Sequence, residues 1–89
     1  NEGLIRIAEG IISKLNLSYN VNLQFRYAAD GKPRLMEINP RVSGSLVANC
    51  GAGVNMMELS LRLAYGLPLG ALDVKWGTTM LRYWDQFFI

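Results

Sequence analysis

Hydrophobic and polar residues alternate strictly between positions 20 and 27, which is the period of a half-buried β-strand. The alternating run is Asn20-Val21-Asn22-Leu23-Gln24-Phe25-Arg26-Tyr27. Asp30-Gly31 follows and predicts a two-residue hairpin turn, because the favoured turns need positive φ at their central residues. A second strand then leads into Pro40, so residues 19–39 are predicted to form an antiparallel hairpin.

The predicted turn determines which residues face each other across the hairpin. With Asp30 and Gly31 as its central residues, Gln24 lies opposite Glu37 and Asn22 lies opposite Asn39. Directly opposed side chains are about 5.5 Å apart or less at Cβ. Since successive side chains point to opposite faces of a strand, three oxygen donors are expected to converge on one face. The apolar residues expected together on the other face are Leu23, Phe25, Met36 and Ile38.

The run Met36-Glu37-Ile38-Asn39-Pro40-Arg41 brings a carboxylate, a carboxamide and a guanidinium to the end of the second strand. Oxygen ligands with a nearby cation suit a hard divalent cation that carries a phosphate. The alternative is an ordinary half-buried strand with a solvated polar face, since a short motif needs its structural context. A solvated hairpin face more often contains Lys, Glu or Thr, so the cluster Gln24, Glu37 and Asn39 favours the metal site.

Helical periodicity flanks the hairpin on both sides. Apolar residues at helical spacing predict an amphipathic helix near residues 2–16. Asn55 and Glu58 form a capping-box pattern, with Glu58 as a cap, and Gly66 supplies a stop, so another helix is predicted near 55–66.

The aromatic-rich segment Thr78–Phe88 is predicted to form a final strand whose aromatic residues cover a core. Together with the hairpin and the two helices, it predicts a two-layer α+β domain. In this arrangement the helices pack on an antiparallel sheet.

The loop Ser43-Gly44-Ser45 precedes a short apolar stretch, Leu46–Cys50, which suits a short helix closed by Gly51. A helix that begins just after Arg41 presents unpaired N–H groups. Two interpretations stay open: a pocket for a phosphate or carboxylate, or an ordinary cap formed by one of the two serines. The capping pattern alone favours the second.

Composition excludes several classes of function. Hydrophobic residues make up 51% and charged residues 18%, as in a globular protein. The net charge of +2 is too small to indicate a nucleic acid or a membrane surface as partner. The chain has no histidine, which excludes imidazole chemistry, and Cys50 is its only cysteine, expected to be a small buried hydrophobe. No membrane span or secretory signal is apparent, so a cytoplasmic location is expected.

The runs Asn22-Leu23-Gln24-Phe25, Leu35–Arg41 and Ser43-Gly44-Ser45 resemble the C-terminal half of an ATP-grasp domain. The runs are similar to those of the large subunit of carbamoyl-phosphate synthase and of related ATP-grasp carboxylate ligases. The resemblance covers most of the chain and extends to Met80–Asp85, which resembles the terminal strand of these domains. Carbamoyl-phosphate synthases tend to have an arginine and a further serine where this chain reads Ser43-Gly44-Ser45, so the sequence leaves the carboxylate substrate open.

The resemblance implies ATP as cofactor together with Mg²⁺, for which Mn²⁺ is an alternative. It implies that Gln24, Glu37 and Asn39 hold the metal ions that bridge the ATP phosphates. It also implies that Arg41 contacts the transferring phosphoryl group or the acyl phosphate. The implied reaction is ligation, in which ATP phosphorylates a carboxylate and an amine or ammonia then displaces phosphate.

Eighty-nine residues make one small domain, whereas an ATP-grasp catalytic unit is much larger. Residues 1–89 are therefore expected to be a single partial domain, inactive by itself and prone to self-association. Its partner would be the N-terminal half of the parent chain, which supplies the phosphate-binding lysines in this family. The alternative is a non-catalytic binding module whose apolar ends dock a partner domain.

Overall fold

A computed structural model describes all of residues 1–89. Along the chain the elements are α1 (Glu2–Lys14), β1 (Asn22–Tyr27), β2 (Pro33–Asn39), α2 (Leu46–Gly51) and α3 (Met56–Ala64). The two strands form a two-stranded antiparallel sheet. The predicted α+β class, the hairpin, the two longer helices and the short helix after the loop are therefore confirmed.

The turn between β1 and β2 is one residue longer than predicted. The Ala28 amide donates to the Lys32 carbonyl over 2.9 Å, so Ala29, Asp30 and Gly31 form a three-residue loop. Gly31 has a φ of 72°, the left-handed conformation that ends such a loop. The Asp30 carboxylate stabilises this loop, because its Oδ1 accepts from the Lys32 amide at 3.0 Å. This local hydrogen bond favours the longer loop over the predicted two-residue turn.

A β-bulge at Met36 compensates for the extra residue in the loop. Phe25 pairs with Leu35, whereas the next pair along the ladder is Gln24 with Glu37. Met36 is therefore the additional residue of β2 at this point. Beyond the bulge the register is the predicted one, although the turn that leads to it is different.

The bulge also changes the surroundings of Met36, which was expected on the apolar face with Leu23, Phe25 and Ile38. Its side chain is exposed and lines a shallow pocket with Arg26 and Arg34 instead. A bulged residue is not bound by the strict alternation of the strand, and this is the physical reason for the difference.

The N-cap residue is an asparagine in α1 and α3 and a serine, Ser45, in α2. Asn1 Oδ1 accepts from the Leu4 amide at 3.3 Å at the start of α1, and Asn55 Oδ1 accepts from the Glu58 amide at 3.2 Å at the start of α3. The prediction that the Glu58 side chain is a cap is wrong. Its carboxylate accepts from Arg62 Nε at 2.9 Å, one helical turn along. The carboxylate therefore bonds a charged side chain and not the backbone N–H of Asn55, which a capping box would require.

All three helices end in the same hydrogen-bonded turn. In α3 the Gly66 amide donates to the Leu63 carbonyl and the Leu67 amide to the Arg62 carbonyl, which is the Schellman pattern. The residue in the left-handed conformation is Asn16 after α1, Gly53 after α2 and Gly66 after α3. In α2 this residue is Gly53, whereas Gly51, the predicted closing residue, is the last residue of the helix itself.

The segment from residue 65 to residue 89 contains neither helix nor strand, so the predicted strand Thr78–Phe88 is wrong. A strand needs a partner edge, and no backbone hydrogen bond joins this segment to β1 or β2. The segment instead lies against the turn after α2, where the Lys75 amide donates to the Ala52 carbonyl at 2.9 Å. Further along, Arg82 Nη2 donates to the Gly44 carbonyl at 3.2 Å.

The chain does not enclose a hydrophobic core, since none of its 89 residues is fully buried. Its accessible surface is 7703 Å², whereas a compact protein of this mass exposes about 5,200 Å². The aromatic residues that were expected to cover a core are each at least 85% exposed, and these are Trp76, Tyr83, Trp84, Phe87 and Phe88. Cys50, expected to be buried, is exposed as well. Both predictions fail because no other element of the chain covers these residues.

Candidate functional site

The antiparallel ladder brings together the polar residues that the sequence singled out. Gln24 is paired with Glu37, and Asn22 is paired with Asn39 one step further from the turn. Between them Leu23 pairs with Ile38. Because side chains alternate across each strand, the four polar residues share one face and the two apolar residues share the other. The predicted pairing of Gln24 with Glu37 and of Asn22 with Asn39 is therefore confirmed.

Asn39 is half-buried, and its side-chain nitrogen Nδ2 is buried without a hydrogen-bond partner. A buried donor that lacks an acceptor costs about 1–3 kcal/mol. Within the chain the hydrogen bonding of Asn39 is thus incomplete. An acceptor that reached Nδ2, such as a phosphate oxygen, would remove this cost.

The candidate ligands differ in charge and exposure. Glu37 and Gln24 are exposed, and Glu37 is the only carboxylate among the candidates. The chain has no group of three or more His, Cys, Asp or Glu side chains that would hold a metal ion. One carboxylate with two amide oxygens does not form a cage for a free cation. It does fit Mg²⁺, which usually keeps several waters and binds through one or two carboxylates plus substrate phosphates.

Arginines flank this face of the hairpin. On the turn side Arg26 pairs with Arg34, and since Arg26 is two residues from Gln24 it lies on the same face. Arg34 donates to the Asp30 carboxylate at 2.9 Å, whereas Arg26 is in neither ion pair of the chain. Sequence reasoning did not include Arg26 among the site residues. The strict alternation of β1, which places it on the face of Gln24, is the signal that identifies it.

Arg41 is held close to the end of β2 by a tight turn. Its backbone amide donates to the Asn39 carbonyl at 2.8 Å, across Pro40. Its Nη1 donates to the Val42 carbonyl at 2.9 Å, which restrains the guanidinium beside its own loop. Arg41 lines a recess of about 120 Å³ together with Asn22, which lies opposite Asn39. Asn22 is therefore the residue that connects this recess with the ladder, and the contact of Arg41 with the transferring phosphoryl group stays a prediction.

The loop after Arg41 forms a serine turn. Ser43 Oγ accepts from the Ser45 amide at 3.0 Å, and the Leu46 amide donates to the Ser43 carbonyl at 3.1 Å. Ser45 is the N-cap residue of α2 by position but makes no side-chain capping bond. The Ser43 hydroxyl thus closes the turn before α2, and neither serine caps the helix with its side chain, so the expected serine cap is wrong. The interpretation of the loop as a phosphate or carboxylate pocket stays a prediction.

Residues 1–83 match the family described as ATP-grasp in the biosynthetic pathway with Ter operon. The chain belongs to this ATP-grasp family. The match covers α1, the hairpin, both shorter helices and most of the segment that follows. No curated protein and no solved structure matches the chain.

The α+β class of the chain is consistent with membership of an ATP-grasp family. The family indicates ATP as the nucleotide and ligation as the general reaction type. No helix of this chain is both long enough and apolar enough to cross a bilayer.

Proposed function

We propose that this ATP-grasp chain supplies the Mg²⁺- and phosphate-binding strands of an ATP-dependent carboxylate–amine ligase similar to carbamoyl-phosphate synthase. The observation that supports this most directly is the pairing of Gln24 with Glu37 beside the half-buried Asn39. One carboxylate and two carboxamides on neighbouring pairs of the ladder supply oxygens of the type that bind Mg²⁺ at substrate phosphates. A solvated hairpin face would not require a half-buried asparagine with incomplete hydrogen bonding.

In this proposal Gln24, Glu37 and Asn39 hold Mg²⁺ at the ATP phosphates, and Arg41 is the catalytic cation. The metal ion, when bound, neutralises phosphate charge and aligns the triphosphate. Arg41 neutralises the charge that develops as the phosphoryl group passes to the carboxylate. The acyl phosphate then reacts with an amine or ammonia, and phosphate leaves. This chemistry needs charge stabilisation and alignment and no covalent nucleophile from the chain.

The rest of the catalytic unit would come from the other half of a longer parent chain. The exposed surface supports this, since about 2,500 Å² more is accessible than in a compact protein of this mass. An area of that size is typical of a permanent interface. Residues 1–89 alone are then expected to bind ATP weakly and to show no ATP turnover.

The experiment uses the full-length protein that contains this chain. Glu37→Gln keeps the shape of the side chain and removes its charge, so Kd for MgATP should rise and phosphate release should fall by about 100-fold or more. Glu9→Gln removes the same charge from an exposed position of α1 and is the matched control. Equal MgATP binding and turnover in the two variants would refute the metal assignment.

The second candidate is a non-catalytic module that docks a partner domain. The observation that favours it is the exposed aromatic segment, in which Trp84 and Phe88 are about nine-tenths exposed. This candidate predicts that Glu37→Gln leaves every function of the full-length protein intact. It also predicts that replacing Trp84 and Phe88 by serine abolishes docking. ATP-dependent turnover that Glu37→Gln removes would contradict it.

A further inference from the structure

Two recesses meet at Arg41, outside the proposed metal ligands. The first, of about 120 Å³, is mainly polar and is lined by Asn22, Ser43 and Asn49. The second, of about 360 Å³, is wider and is lined by Tyr19 and Met57 among others. Arg41, Asn20 and Val42 line both, so the two recesses adjoin at these residues. They are together called the cleft, with a polar and a less polar part.

The charge of this cleft selects an anion. Arg41 is the only charged residue that lines either recess, and no aspartate or glutamate does so. The polar recess is too small for a nucleotide, since drug-sized ligands occupy cavities of about 300–1,000 Å³. A carboxylate group fits it. A guanidinium and amide groups are suitable donors for such a group.

Tyr19, at the rim of the wider recess, has a strained backbone. Its φ is 64°, which is a genuine outlier for a bulky residue. Strain of this kind costs about 1–3 kcal/mol, persists only when the surroundings enforce it, and is concentrated at ligand-binding sites. Tyr19 is 61% exposed, so its own packing does not compensate for this cost.

The neighbouring residue enforces the strained conformation. The Asn20 side-chain nitrogen donates to the Met56 carbonyl at 3.1 Å and to Ser60 Oγ. These bonds tie the start of the hairpin to α3, and they fix the chain direction directly after Tyr19. The aromatic ring is consequently presented at the cleft next to Met57.

We propose that this cleft binds the acceptor substrate and that the substrate is a carboxylate with an apolar group attached. The carboxylate lies in the polar recess at Arg41, and the apolar group lies against Tyr19 and Met57. This inference rests on the proposed ligase function and names its substrate class. Tyr19 is then the residue that determines specificity, because its ring covers apolar surface of the substrate.

The test measures ligand binding by saturation-transfer NMR on the full-length protein saturated with MgADP. The probes are acetate, phenylacetate and inorganic phosphate. Phenylacetate should bind at least about tenfold more tightly than acetate, since its ring removes additional apolar surface from water. Tyr19→Gly, which keeps the positive φ without strain, should abolish that difference, and Tyr19→Phe should retain it.

Tyr83→Gly is the matched control, because Tyr83 is an exposed tyrosine outside the cleft. The inference is overturned if phenylacetate and acetate bind equally, or if inorganic phosphate alone binds. It is also overturned if Tyr19→Gly keeps the preference or Tyr83→Gly removes it equally. MgATP affinity is measured separately in each variant. If the unmodified protein does not bind MgATP, the proposed ligase function is contradicted. If it binds MgATP but does not prefer phenylacetate to acetate, only the role proposed for the cleft is contradicted.

Discussion

Gln24 lies directly opposite Glu37 in the antiparallel ladder, and the bulge at Met36 maintains this register. The loop of three residues shifts the pairs near the turn by one position, as in the pair of Phe25 with Leu35. Met36 absorbs that shift before the ladder reaches Glu37. The position of the candidate metal ligands thus depends on a loop and a bulge that offset each other.

Deleting Met36 should therefore keep MgATP binding in the full-length protein. Without this residue Leu35 still pairs with Phe25, and Glu37 follows directly as the partner of Gln24. We expect Kd for MgATP to change by less than about threefold, measured by isothermal titration calorimetry. A loss of binding would mean that the bend of the bulge, and not only its register, forms the site.

The matched deletion is Ile38. Its loss moves Asn39 into the position opposite Leu23 and hence onto the apolar face, because a slip of one residue reverses every side chain beyond it. MgATP binding should disappear in this variant, while circular dichroism reports whether the hairpin persists. Retained binding in a folded variant would exclude Asn39 from the ligand set.

The dependence on Mg²⁺ should separate the ligands from the cation. Asn39→Ala removes a neutral oxygen ligand, so raised Mg²⁺ should partly restore a kcat lowered by about 100-fold. Arg41→Ala removes a cation that binds phosphate and no metal, so raised Mg²⁺ should not restore its kcat. The measurement is phosphate release over a range of Mg²⁺ concentrations. Identical Mg²⁺ responses in the two variants would be inconsistent with these separate roles.

Much of the fold was predictable because its signals are local. The alternation of β1, the asparagine cap at Asn55 and the helix stop at Gly66 each depend on residues within a few positions of one another. The pairing of Gln24 with Glu37 was also predicted correctly, although the assumed turn was one residue too short. The hydrogen bond from the Lys32 amide to the Asp30 carboxylate, which stabilises the longer loop, is local as well, but the Asp-Gly pattern does not distinguish this loop from a two-residue turn.

The features that were not predictable depend on contacts distant in sequence. The segment Thr78–Phe88 has the composition of a strand, but a strand also needs a partner edge, which composition does not provide. The cleft at Arg41 is formed by β1, the loop after β2, α2 and α3 together. No short motif indicates the strained Tyr19, because its conformation is enforced by the contact of Asn20 with α3.

Gly53→Ala should destabilise the protein by about 1–3 kcal/mol, measured by chemical unfolding of the full-length protein. Gly53 has a φ of 90°, and an added Cβ would lie 2.9 Å from the Asp73 carbonyl oxygen. Both effects act on the turn that holds residues 73–75 against α2. Gly44→Ala is the control, because nothing lies within 4 Å of its added Cβ and its φ is not in the left-handed region. Equal stability of the two variants would show that the segment does not depend on this close approach.

The isolated chain of residues 1–89 should self-associate as its concentration rises. Its radius of gyration of 15.9 Å exceeds the roughly 12 Å of a compact domain of this length, and it has no fully buried residue. Both edges of its two-stranded sheet are also free to pair with another strand. Exposed apolar patches of more than a few hundred Å² usually find a partner. Multi-angle light scattering between about 5 and 500 μM should show a rising mass, because association is concentration-dependent.

Serine substitution of Trp84, Phe87 and Phe88 is the variant that tests the source of this association. These three side chains are each about nine-tenths exposed and make up most of the aromatic surface at the end of the chain. The triple variant should associate only at higher concentration than the unmodified chain, because the apolar area available for burial is smaller. Association that is unchanged in this variant would assign it to the free sheet edges. A monomer across the whole concentration range would contradict the prediction itself.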